Sequence, residues 1–197
     1  MSDTEPSSSV FGERDLIGTY HMGARGSNPD WFVDPDGLPE WYFHRTYRFH
    51  EHNGFEVNYI FFADKECTIP QISGIWRGRW WLLESHPGLP FTRLADFRLD
   101  SISLAIVDHK LFEQTAEARS GGWSLGLFRD VSRTGCQSFG PLFGPLPREY
   151  TDYDIVFLRD GVLKTGLRTS TMAISPEGRP TRLQDALPAI REQAGQQ

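Results

Sequence analysis

Lysine is nearly missing from this chain: Lys65, Lys110 and Lys164 are the only lysines in 197 residues. No stretch gathers basic residues, and the formal net charge is −6 with a pI near 5.5. The electrostatic footprint of a nucleic-acid-binding protein is therefore lacking, and no nucleic-acid partner is expected. The preference for arginine over lysine reads as the usage of a GC-rich bacterial genome, and a bacterial source is the expectation. Long apolar runs are also missing; none approaches the roughly 20 residues of a spanning helix. The start, MSDTEPSSSVFGERD, has neither the basic nor the apolar region of a secretory signal. A cytoplasmic location with no membrane span is the expectation. Two cysteines, Cys67 and Cys136, are too few for a disulfide scaffold and fit no zinc spacing. There is no phosphate loop and no dinucleotide fingerprint. Gly122-Trp123-Ser124-Leu125-Gly126 has the letters of a nucleophile elbow, but it reads as a strand rather than a strand-to-helix turn.

Aromatic residues and turn formers are what the chain has in quantity. Phe, Trp and Tyr make up 13% of residues, beside 19 glycines and 13 prolines, and this favours an all-β domain. Residues 1–13 read as a disordered lead, 14–191 as one barrel domain and 192–197 as a frayed tail. Strands are expected at 16–20, 41–51, 55–61, 72–83, 91–107, 123–131, 150–159 and 162–170, with one short helix at 109–119. Asp96, Arg98 and Asp100 share a side with Ile102, Leu104 and Ile106, so a bulge is expected near Asp100-Ser101. Such strands fit an antiparallel lipocalin-like β-barrel of about eight or more strands, closed so that no edge is left.

The stretch 41–80 organises the chain. Asn53-Gly54 signals a hairpin. A two-residue turn would split the aromatic residues between opposite faces. A three-residue loop, His52-Asn53-Gly54 with Gly54 left-handed, pairs Glu51 with Phe55. It puts Trp41, Phe43, Arg45, Tyr47 and Phe49 on one face with Phe55, Val57, Tyr59 and Phe61. Arg45 and Tyr47 then lie in the middle of an aromatic wall. His44, His50 and His52 share parity but point away from that wall or sit in the turn. No Cys or carboxylate completes a ligand set, so neither metal nor cofactor is expected.

Several short motifs, in order, carry a family resemblance. They are Arg45-Thr46-Tyr47-Arg48-Phe49 with Asn53; Cys67-Thr68-Ile69-Pro70; Arg77-Gly78; and Gly122-Trp123 with Gly126 and Asp130-Val131. They continue with Thr134-Gly135-Cys136, Thr151-Asp152-Tyr153-Asp154-Ile155, Gly166-Leu167-Arg168 and Leu187-Pro188. Together they resemble one domain of the adenomatosis polyposis coli down-regulated family of membrane-tethered Wnt antagonists. The resemblance implies a lipocalin-like barrel with a hydrophobic cavity for an acyl chain. It also implies that Cys67 and Cys136 pair, since the family's two further cysteines would stand near Arg25 and Glu117; these two residues could form an ion pair in place of that bridge. Family members are secreted, tandem and anchored. One domain without signal or anchor is read here, so Wnt antagonism is not carried over.

Matching the family's motifs, Arg45, Tyr47, Arg77, Asp130, Tyr153 and Arg168 are the polar residues able to face the interior. Two readings stand side by side. In one, Asp130 or Asp154 neutralises an arginine in a structural network. In the other, Arg45 and Tyr47 orient the polar group of a ligand whose tail lies among aromatic side chains. The expected ligand-binding residues are Trp41, Phe43, Phe49, Tyr59, Phe61, Arg77, Tyr153 and Arg168. The expected function is binding of a hydrophobic small molecule, acyl, polyene or polyketide-like. The alternative is a cofactor-free cyclase or isomerase of specialised metabolism, with Arg45, Tyr47 and Asp130 as catalytic groups.

Overall fold

The alternation from Tyr42 onward folds as a pair of antiparallel strands, and the wall they begin closes on itself. A computed structural model describes residues 10–22, 26–27, 42–167 and 175–193. Its strands are β1 (Gly18–Met22), β2 (Gly26–Ser27), β3 (Tyr42–Phe49), β4 (Gly54–Phe62), β5 (Pro70–Ser85), β6 (Thr92–Ile106), β7 (Arg129–Asp130), β8 (Thr151–Arg159), β9 (Val162–Thr165) and β10 (Ala189–Arg191). Short helices are α1 (Glu13–Leu16), α2 (His109–Gln114) and α3 (Ala116–Arg119). The order β1-β10-β9-β8-β6-β5-β4-β3 returns to β1 through the β1–β3 pairing. The result is a closed antiparallel barrel of eight strands; β2 adds to β3 and β7 to β6.

The hairpin keeps the expected face but not the expected register. Phe49 pairs with Phe55, Tyr47 with Val57, Arg45 with Tyr59 and Phe43 with Phe61. This differs by two residues from a Glu51–Phe55 pairing, and an even shift leaves every side chain on its own face. The loop is Glu51-His52-Asn53, closed by the His50 N–H donating to the Gly54 carbonyl at 2.8 Å. Gly54 has φ −74°, while His52 and Asn53 take the left-handed positions at 59° and 62°. The reason lies on β5. The Asn53 side-chain amide donates to the Trp80 carbonyl at 2.9 Å, and the Trp80 indole N–H donates to the Gly54 carbonyl at 3.0 Å. Asn53→Ala should therefore destabilise by about 2 kcal/mol, combining a left-handed penalty with a lost bond. Gly54→Ala should cost only a few tenths of a kcal/mol, roughly the scale of an unstrained surface change. Paired denaturant melts check the contrast.

On β6 the expected bulge forms. Arg77 faces Ser101 but Gly78 faces Leu99, so Asp100 is the extra residue. Asp160-Gly161 forms a tight turn between β8 and β9, with both φ positive. The helix at 109–119 is broken at Thr115, whose ψ is 127° and whose buried hydroxyl donates to the Leu111 carbonyl. The strand expected at 123–131 shrinks to Arg129–Asp130 because turns occupy the residues before it, Gly126 with φ 74°. The first strand begins at Gly18, after α1, and not at Leu16.

Two apolar clusters lie inside the barrel. One holds Phe11, Leu16, Tyr20, Phe49, Phe55, Trp80 and Phe97, and α1 closes that end. The other holds Phe43, Phe61, Ile72, Trp76, Ile102 and Leu104, and is closed by Val131, Cys136, Phe139 and Phe143. Val57 and Leu99 pack against both. Between the clusters lies the level of Arg45.

Candidate functional site

Strand parity determines what reaches the interior at that level. Ile72, Trp76, Trp80 and Leu82 of β5 are buried and point inward. On β8, Val156 and Leu158 point inward with the first cluster, and so does the buried Asp154 two residues earlier. The inner belt thus gathers Arg45 and Tyr47 of β3, Tyr59 of β4, Asp154 of β8 and Thr165 of β9.

Arg45 is its centre. Its Nη1 donates to the Tyr59 hydroxyl at 3.3 Å. The guanidinium carbon lies 4.8 Å from the Tyr47 ring centroid, 5.7 Å from that of Tyr59 and 5.9 Å from that of Phe43, within cation–π range. Burial works against the charge of Arg45, but Tyr47, Tyr59 and Asp154 outweigh it and hold the guanidinium protonated. Burial raises the Tyr47 phenol, with Arg45 and a hydrogen bond to Thr165 opposing, so Tyr47 stays a neutral hydroxyl. The Nε of Arg45 is buried without a hydrogen-bond partner. The Oδ1 of Asp154 accepts from Ile155 N at 2.7 Å and from Gly166 N at 2.9 Å.

The belt is also where the packing loosens. Phe43, Phe49, Phe55, Phe61, Trp76 and Trp80 are each at most 7% exposed. Arg45, Val57, Tyr59, Leu99 and Thr165 point to the same interior yet remain only half-buried.

Of the expected site residues, Arg45, Tyr47, Tyr59, Phe43, Phe49 and Phe61 meet in the interior. Three do not. Arg77 is exposed on the outer face and bonded to Glu56 at 2.8 Å, because Trp76 and Trp80 take the inward parity of β5. Tyr153 lies on the outward side of β8, its ring 5.4 Å from the Arg179 guanidinium. Asp130 is exposed, pairs opposite Ser103 and accepts from Ser132 N and Oγ, so it stabilises a turn and is no partner of Arg45. Trp41, Arg168 and Arg25 lie outside the described residues. Asp154 was anticipated only as a counter-charge, and Thr165 gave no signal. Of the histidines, His44 is exposed against the Phe62 ring and His52 is in the turn; among the described residues no metal-ligating group of three forms.

Residues 37–121 match the family model Adenomatosis polyposis coli down-regulated 1. The match runs over β3 to α3 and includes Arg45, Tyr47 and Tyr59. The resemblance read from the motifs is found over this stretch, and the closed barrel is the fold it implies. No curated protein matches the chain significantly. One implied feature of the adenomatosis polyposis coli down-regulated family is not formed: Cys67 and Cys136 are not joined by a disulfide. Glu117 stands beside Cys136 instead. Its carboxylate accepts from Ser138 N at 3.1 Å and from the Ser138 hydroxyl. Burial, then Glu117, pushes the Cys136 thiol up to about 12. An acidic side chain thus fills the place next to Cys136, satisfied by hydrogen bonds.

Proposed function

We propose that the barrel holds a hydrophobic small molecule, with an acyl, polyene or polyketide-like tail among the aromatic side chains and a polar group against Arg45. The observation that carries this reading is the Nε of Arg45, buried without a partner at the level where inward side chains keep accessible surface. A buried donor left unmade costs about 1–3 kcal/mol, more when charged. Apolar sites with a few convergent polar groups are the usual form of small-molecule pockets.

The test is Arg45→Met, which keeps an unbranched stem and deletes the charge. Binding of straight-chain amphiphiles should weaken by about ten- to a hundredfold, the loss of one charge-assisted bond. The melting temperature should hold or rise, because an unpaired buried charge is removed. A lowered melting temperature with normal affinity would make Arg45 part of the scaffold and overturn the reading. A cofactor-free cyclase or isomerase is the second reading. It is favoured by a protonated Tyr47 phenol beside a fixed cation. With Asp130 outside the barrel, Asp154 is the remaining interior carboxylate among the described residues. Mass spectrometry separates the two: a carrier returns its ligand unchanged, an enzyme converts it.

A further inference from the structure

The proposed function leaves the ligand's polar group open. The geometry around Arg45 narrows it, and we infer that the belt takes an anionic head, a carboxylate, on the Nε edge of the guanidinium. This rests on the reading of the barrel as a small-molecule binder.

A guanidinium offers two useful edges. One of its terminal nitrogens, Nη1, is already spent on the Tyr59 hydroxyl. The other edge, Nε with Nη2, has no hydrogen-bond partner among the described residues, and its Nε is buried. That edge presents two parallel N–H groups, the arrangement that carboxylates accept bidentately. The charges agree. Among the described residues no carboxylate lies within ion-pair distance of Arg45; the recorded pairs join other arginines, such as Arg48 and Arg77 to Glu56 and Arg179 to Asp96. Asp154 acts on Arg45 only electrostatically and uses Oδ1 on two backbone N–H groups. The ring faces of Tyr47, Tyr59 and Phe43 soften the charge without neutralising it. Inside an aromatic barrel a cation with no carboxylate in direct contact selects for an anion. A neutral carbonyl would satisfy one N–H and leave the charge as it was. Above and below the belt the interior is apolar, which fits a carboxylate on an apolar tail better than a multiply charged phosphate.

The experiment compares three ligands of equal chain length on the intact protein: dodecanoic acid, methyl dodecanoate and dodecanol, by calorimetric or fluorescence titration near neutral pH. The acid should bind ten- to a hundredfold more tightly than the ester and the alcohol. Arg45→Met should level the three, and Arg45→Lys, which keeps the charge but not the fork, should restore only part of the preference. Lowering the pH through the acid's own titration should erase the preference as the head is neutralised. Equal binding of all three to the unaltered protein would overturn the carboxylate assignment and leave the barrel a binder of apolar tails. Binding of none would overturn the proposed function together with this inference. Because the ligand comparison uses the unaltered protein, it stands even where a variant fails to fold.

Discussion

Replacing Gly78 by alanine is expected to destabilise the barrel by about 3 kcal/mol, the upper end of the usual cost of overpacking. A Cβ built on Gly78 would lie 1.9 Å from the Arg98 carbonyl oxygen and 2.9 Å from its carbonyl carbon, and 2.9 Å from the Phe55 ring. The ring edge could rotate away. The carbonyl is backbone of β6, two residues before the extra residue Asp100, and can yield only if β5 and β6 move apart. That pairing is the longest in the barrel, running from Ile72–Ile106 to Ser85–Arg93. The strain would therefore reach Leu99 and Trp76, beside the belt of Arg45. Gly54→Ala is the control: its Cβ would meet nothing closer than His50 at 3.6 Å. Denaturant unfolding should show a lower midpoint for Gly78→Ala at an unchanged slope. Equal midpoints for the two variants would mean that β5 and β6 do not approach so closely at the bulge.

That bulge was legible because its signal is periodic. Asp96, Arg98 and Asp100 share parity with Ile102, Leu104 and Ile106, and only an extra residue lets both sets sit correctly. Period-two alternation likewise placed Phe43, Arg45, Tyr47 and Phe49 against Phe55, Val57, Tyr59 and Phe61. The hairpin's register was not legible, since the contact that draws Asn53 into the left-handed region comes from Trp80, far along the chain. The outward place of Arg77 was legible from Trp76 and Trp80 alone; matching by motif hid it. On β8 the alternation is erased. Ile155 is buried although it faces outward, where the segment 179–183 lies over the wall and Arg179 donates to the Ala95 and Asp154 carbonyls. With both faces covered, nothing local says that Asp154 points in and Tyr153 out. The closing strand Ala189–Arg191 has three residues, and β7 has two. Elements so short carry no period and are defined by partners distant in sequence.

Trp80→Ala is the second variant with a large expected effect, a loss of about 3–5 kcal/mol, as for other large aromatic truncations in cores. Trp80 is 1% exposed. Its ring meets Phe49 edge-on at 5.8 Å, in the cluster that α1 closes. It also fastens the β3–β4 loop to β5 through its indole N–H and its own carbonyl. Truncation removes the ring and the indole bond, while the Asn53 bond to the backbone carbonyl can persist. The Gly54 carbonyl would still accept from His50 N, so no buried acceptor is orphaned and the cost is mainly the cavity. Trp80→Phe separates the terms: it keeps most of the packing and drops one bond, so about 1 kcal/mol is expected. With domain stabilities of about 5–15 kcal/mol, the alanine variant should still fold but melt well below the original. Its amides at 50–54 should exchange faster relative to those of β8, whose ladder does not touch Trp80. Trp80 lies in the cluster beside the Arg45 belt, not within it. Once folded, the variant should keep its preference for the acid over the ester, although the enlarged cavity can change how tightly the tail is held. Loss of that preference with the fold intact would place the head-group site at the closed end of the barrel and not at Arg45.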